Sequence, residues 1–170
     1  MCSPWALSKL HLYGTGQMPS LRLTHRTQSH EADCLAACAW MVLNYWEINV
    51  RYPRLLNLLK VHESGTSFYS LDTLTELHSS LSVHIQDAHM ELLAEYLHQG
   101  RPVIASVNTI ELPYWQGQDE SHAVVVVHLD ESTVSLHDPW YEDAPQVVNR
   151  MHFESAWLHH EYLCAIIERT

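Results

Sequence analysis

Gln28-Ser29-His30-Glu31-Ala32-Asp33-Cys34-Leu35-Ala36-Ala37-Cys38-Ala39-Trp40-Met41-Val42-Leu43 is a polar, acidic stretch that passes without a break into an apolar one. The apolar part runs on through Tyr45 and Trp46 with nonpolar residues on nearly every side, the pattern of a helix buried at the centre of a lobe. Cys34 opens that helix. A thiol at a helix N-terminus sits at the positive end of the backbone dipole, which favours the thiolate, the nucleophilic form. Gln28 lies a short loop upstream, and a side-chain amide reaching over the thiol can donate a hydrogen bond to an oxyanion. This arrangement makes a cysteine hydrolase the first hypothesis.

Downstream of this helix the first half of the chain keeps a helical rhythm. Residues 51–61 read as a short helix with Leu55, Leu56, Leu58 and Leu59 apolar, residues 63–67 as a turn, and residues 70–79 as a third helix on Leu71, Leu74 and Leu77. A short strand is expected over 83–86 and a helix over 90–99, stopped by Gly100. The second half changes period. Residues 102–108 are strand-like, a polar loop follows over 111–121, and His122-Ala123-Val124-Val125-Val126-Val127-His128 is the strongest strand, apolar on both faces and so buried on both. Asp130 and Glu131 turn the chain into a hairpin partner over 133–137, ended by Asp138-Pro139. A short helix over 151–158 and a closing strand over 162–167 complete the pattern. Helices first and strands later predict an α+β domain of two lobes, a helical one around the Cys34 helix and a C-terminal antiparallel sheet, with a cleft between them. Residues 1–23, polar and irregular, read as an arm, and 24–170 as the domain.

The bulk numbers narrow the partners. Of 170 residues 46% are hydrophobic, enough for one domain with a real core. Nine basic residues against twenty acidic ones give a formal charge of −11, a poor surface for nucleic acid or anionic lipid and an attractive one for a basic peptide. No apolar run has the length of a membrane span, and the first ten residues lack the basic head and apolar core of a signal peptide, so the expected location is cytoplasmic. Cys2, Cys34, Cys38 and Cys164 show neither paired zinc spacing nor a disulfide framework. A metal held by Cys34 and Cys38 finds no second ligand pair of matching spacing, so no metal or other cofactor is expected.

A cysteine hydrolase needs an imidazole to carry the thiol proton and a group to fix that imidazole. Among fourteen histidines, His122 begins the best strand at the sheet's rim and Asp138 ends its hairpin partner. Turning at 130–131 brings those two ends together, within a residue or two of register. His128 falls at the far end of the hairpin, and His137 should point to the opposite face from Asp138. In the loop before the base, Tyr114 and Trp115 are expected to border the substrate cleft; the alternative is that they pin the loop to its own domain. Trp140 is placed beside the pair, as a shield against water or a substrate contact.

These residues resemble the papain-like peptidases of family C39, which include the domains of bacteriocin exporters that remove double-glycine leader peptides. The family's Gln, then Asp-Cys-Gly six residues on, then a small-residue helix containing Met, stands here as Gln28, Asp33-Cys34-Leu35, Ala36-Ala37 and Met41. Its His before hydrophobic residues matches His122-Ala123-Val124, and its Asp-Pro matches Asp138-Pro139. Gly65-Thr66-Ser67 and Gly100-Arg101-Pro102-Val103-Ile104 match two further family segments, so the likeness spans about residues 24–168. Cys34-Leu35-Ala36-Ala37 is also similar to the AvrRpt2-like peptidases of family C70. The resemblance implies a papain-like fold with Cys34 as nucleophile, His122 as base and then acid, Asp138 orienting the ring, and Gln28 with the Cys34 backbone N–H as oxyanion hole.

Leu35 stands where the family usually has glycine, which narrows the expected cleft and puts double-glycine specificity in question. The chain carries neither a membrane domain nor a Walker motif, so the expectation is a free-standing peptidase acting on a leader, a toxin or a small protein. Its partner is then a peptide or protein, basic or glycine-rich at the cleavage site. Two alternatives use the same residues: thiol acyl transfer or deamidation, and a C39-like module that binds a leader peptide without cutting it.

Overall fold

The computed structural model describes residues 20–170. Its elements are α1 (Cys34–Tyr45), α2 (Tyr52–Leu58), a 3-10 helix (Phe68–Glu76), β1 (Leu81–Asp87), α3 (Met90–His98), β2 (Val103–Asn108), β3 (Ser121–Leu129), β4 (Thr133–His137), β5 (Gln146–Asn149), α4 (Arg150–Leu158) and β6 (Leu163–Arg169). The six strands form one antiparallel sheet in the order β1-β6-β2-β3-β4-β5. This is the α+β, papain-like architecture the sequence predicts.

Strand alternation sorts the core into two halves. Ile104, Ala123, Val125, Val127, Ala165 and Ile167 face α1, whereas Val103, Ala105, Val124, Val126, Cys164 and Ile166 face the layer holding α3 and α4. The sheet is therefore covered on both sides, and β3 carries the run of valines that two-sided burial demands. The helical layer is thin where it meets β3. Ala36, Ala37, Cys38 and Ala39 are fully buried, and these small side chains let the backbones approach until the Cys38 thiol reaches the carbonyl of Ala123 at 3.3 Å. Burial pushes the Cys38 thiol well up, so it packs as a small hydrophobe.

Three elements depart from the periodicity reading. The helix expected over 70–79 is a 3-10 helix over Phe68–Glu76. Thr73 and Thr75 bond back to the carbonyls of Ser70 and Asp72, three residues before each, which favours the tighter coil. The loop 111–121 holds two short 3-10 turns, Thr109–Glu111 and Pro113–Trp115. β5 is a strand that patterning does not reveal, because only Val148 of its four residues is buried.

Of the expected arm, residues 1–19, including Cys2, lie outside the described residues. Leu21 donates its N–H to the Val127 carbonyl at 2.9 Å and packs against both halves of the core. Among the described residues no helix is long and apolar enough to cross a membrane.

Candidate active site

Asp33 sits at the N-cap of α1, yet its carboxylate makes no bond to the helix. It turns back instead and accepts the N–H groups of Ser29 (3.0 Å) and His30 (2.9 Å) and the hydroxyl of Tyr52 (2.8 Å). The guanidinium of Arg26 lies 3.7 Å from the Tyr52 ring centre and 5.0 Å from that of Trp40. This buried knot folds residues 28–33 into a compact turn directly before Cys34. Gln28 is tied from the other side as well, its N–H donating to the Pro139 carbonyl at 2.8 Å. The Gln28 Nε2 donates to the carbonyls of His30 (2.7 Å) and Glu31 (3.2 Å), while its Oε1 is buried with no partner among the described residues.

Cys34, Leu35, His122 and Ala123 line one cleft of about 400 Å³, with Thr66 and Phe68 on the helical side. The sequence brings His122 there because it stands at the start of β3, beside the N-terminal end of α1. The His122 Nε2 meets Asp138 Oδ1 at 2.7 Å. That contact leaves Nδ1 as the ring nitrogen open to the Cys34 thiol. Burial lowers the basicity of His122, but hydrogen bonds to Asp138 and Cys34 and the charges of both outweigh it, so the imidazole is pushed up to about 9. A buried imidazole ring lies between a carboxylate and a sulfur.

Asp138 is fully buried and saturated with donors. Oδ1 accepts from His122 and from the Trp140 N–H (2.9 Å), and Oδ2 accepts from the Tyr114 hydroxyl (2.8 Å) and the Trp115 indole N–H (2.9 Å). Burial pushes this carboxyl up, yet the hydrogen bonds and the His122 charge hold it below the usual range. Tyr114 is pushed far up, first by burial and then by the Asp138 charge, so it remains a hydroxyl donor.

The structure thus joins Cys34, His122 and Asp138 and puts Leu35 on the cleft wall. Tyr114 and Trp115 lie behind the pair: neither lines the cleft, and Trp115 is only 3% exposed with its ring edge-on to His122 at 5.0 Å. Of the two readings of this loop, the geometry is that of a loop pinned to its own domain. Trp140 packs its ring on Trp115 (5.5 Å) and borders a shallow depression with Gln28 and His30. His137 points away from Asp138, as alternation requires, and pairs with His25, ring nitrogen to ring nitrogen, at 3.1 Å.

Sequence reasoning did not single out two features of this region. His160 stands across the cleft, its ring held between the hydroxyls of Ser106 (2.6 Å) and Ser121 (3.1 Å). His25, which bonds both His137 and the Tyr141 carbonyl, ties the Gln28-bearing segment to the Asp138 loop. Neither histidine lies in a motif, and nothing in the local pattern separates them from the other twelve.

The family model described as "Peptidase C39 family" matches residues 22–166. No curated protein matches the chain. Among solved structures, a double glycine motif protease from an AMS/PCAT transporter, in complex with the leader peptide, is 17% identical with a TM-score of 0.70, over 89% of this chain and 94% of that one. A C39-like peptidase from Bacillus anthracis is 17% identical with a TM-score of 0.72, over 86% and 94%. The peptidase domain of Streptococcus ComA, a bi-functional ABC transporter, is 20% identical with a TM-score of 0.70, over 88% and 99%. At these identities the likeness is one of fold.

Proposed function

Because the chain belongs to the peptidase C39 family of cysteine peptidases, we propose that it hydrolyses a peptide bond with Cys34 as nucleophile, His122 as base and acid, and Asp138 as the group that orients the ring. The observation that carries this reading is the shared imidazole: His122 is bound to a saturated, buried carboxylate on one nitrogen and faces Cys34 across the same cleft with the other. With the thiol proton carried on His122 Nδ1, the sulfur attacks the substrate carbonyl. As the tetrahedral intermediate collapses, the C–N bond breaks and the imidazolium returns the proton to the leaving amine. Water, deprotonated by the same nitrogen, then opens the thioester and restores the thiol.

The oxyanion is met by the backbone N–H of Cys34 and by the Gln28 amide. Both Gln28 Nε2 hydrogens are engaged by carbonyls of its own turn, so the amide must rotate when substrate binds. A double glycine motif is named for one structural relative, and a glycine-rich cleavage site in a leader or small protein fits this reading, with Leu35 narrowing the cleft.

An activity-based probe for thiol peptidases tests the assignment. Labelling at Cys34 is expected in the intact protein and its loss in Cys34→Ala, together with cleavage products carrying one added water by mass. Undiminished labelling of Cys34→Ala overturns it, and a one-dalton gain or an amine adduct instead of cleavage assigns the site to deamidation or acyl transfer.

A further inference from the structure

The cleft beside Cys34 shares its far wall with a second cavity. His160, Glu161 and Leu163 line the cleft on one side and a second cavity, of about 370 Å³, on the other. Tyr69, Ile85, Gln86 and Asp87 complete that cavity. Ile85 and Leu163 give it an aliphatic floor, and the Tyr69 ring stands 64% exposed at its side. Its charged groups are the carboxylates of Asp87 and Glu161, and neither has an ion-pair partner among the described residues. No lysine or arginine lines either cavity.

The shared wall is built to hold its place. His160 is clamped between Ser106 and Ser121, the residue before His122. Glu161 and Tyr162 both have left-handed backbones, with φ of 54° and 59°. Side chains disfavour that region, and two such residues in succession are a local strain of the kind that marks functional positions. The turn thus holds a carboxylate at the boundary of the two cavities where a glycine would be easier. Across from it, Asp87 is fixed by its pairing with Leu163 in the β1–β6 ladder.

We infer that this second cavity is a subsite for a lysine or arginine side chain of the peptide substrate, an inference that rests on the peptidase reading above. The methylene stem of such a residue covers Ile85 and Leu163, its cationic head meets Glu161 and Asp87, and the Tyr69 ring presents a face to the cation. An acidic side chain meets two like charges there, and a short apolar one leaves the cavity unfilled. The formal charge of −11 adds a long-range attraction for cationic peptides.

Peptides carrying lysine, norleucine or glutamate in turn at each position on either side of a Gly-Gly bond provide the test. Two readouts are used: kcat/KM with the intact protein, and fluorescence anisotropy of binding to Cys34→Ala. Lysine is expected to be preferred over norleucine at one position by both, with a preference that shrinks as salt rises. Glu161→Gln and Asp87→Asn should each reduce the lysine-to-norleucine ratio about fivefold, the scale of a partly exposed ion pair. Glu161→Lys should turn the preference toward glutamate. Glu161→Gly relieves the left-handed backbone, so it should unfold no lower than the parent yet lose the same selectivity, which separates charge from folding. An unchanged ratio in both Glu161→Gln and Asp87→Asn, or no lysine preference at any position, overturns the subsite. Lysine-selective binding without cleavage overturns the peptidase reading and leaves the subsite standing; cleavage without that selectivity does the reverse.

Discussion

The indole N–H of Trp115 donates at 2.9 Å to Oδ2 of Asp138, the carboxylate oxygen that His122 does not use. With Tyr114 on the same oxygen, the aromatic pair places its polar atoms behind the His122–Asp138 pair, outside the cleft lining. In the proposed mechanism Trp115 and Tyr114 are positioning residues: they would fix which oxygen faces the imidazole and share the charge that the imidazole feels.

Replacing either donor isolates that role. Trp115→Phe or Tyr114→Phe leaves a buried carboxylate short of one hydrogen bond, and each is expected to lower folding stability by about 1–3 kcal/mol. The less satisfied carboxylate then binds the His122 proton more strongly. The alkaline limb of the kcat/KM profile should therefore move upward in pH, with kcat reduced more than KM is raised. A loss of stability with an unmoved pH profile identifies these residues as packing alone.

His122 itself gives a titration that the neighbouring groups control. Its imidazole is pushed to about 9 against burial by Asp138 and Cys34. Removing the sulfur in Cys34→Ala withdraws one hydrogen bond and one charge, and the ring's NMR titration should move down toward its ordinary 6.5. Asp138→Asn removes the larger support and should lower it further. A titration near 9 that survives both substitutions contradicts the proposed contacts.

The same ring and its neighbour His137 set opposite slopes on stability. The folded-state His122 value of about 9 lies above the ordinary 6.5, so the folded protein binds the extra proton and loses roughly 3 kcal/mol as pH rises from 6.5 through 9. Burial, then the charge of His25, holds His137 down at about 4, so stability falls as pH drops from 6.5 toward 4. Urea unfolding across this range is expected to peak near pH 6.5, with the alkaline slope removed by His122→Asn and the acid slope by His137→Gln.

Gln28 should matter to rate more than to affinity. Removing one oxyanion donor costs about a hundred- to a thousandfold in kcat, and Gln28→Ala is expected to fall in that range with a smaller change in KM. A peptide aldehyde, whose hemithioacetal carries the oxygen the amide would meet, should bind Gln28→Ala more weakly in similar proportion. Equal affinity of the aldehyde for parent and variant removes Gln28 from the oxyanion hole.

The parts of this architecture that are legible in sequence are those where one pattern dominates. Cys34 to Leu43 is too uniformly apolar to be anything but a buried helix, and the valines of β3 demand a sheet covered on both faces. The meeting of His122 with Asp138 follows from the hairpin, although the register is offset: Val125 faces His137, and the pairing shifts between Val126 and His128. What stays hidden depends on direction rather than order. Tyr114 and Trp115 stand in a polar loop before His122, and their position in the chain is the same whether they turn toward the cleft or toward Asp138. β5 shows no alternation because its Val147 is 61% exposed.

The backbone from Leu21 to Gln28 is stitched to Val127 at one end and Pro139 at the other, with His25 fastened to Tyr141 between them. Gln28 lies between two anchorages, the Asp138 loop through the Pro139 carbonyl and the turn before Cys34 through the Asp33 carboxylate. A cut at Arg26 would release the Leu21 and His25 stitches upstream of it and leave the glutamine moored on both sides.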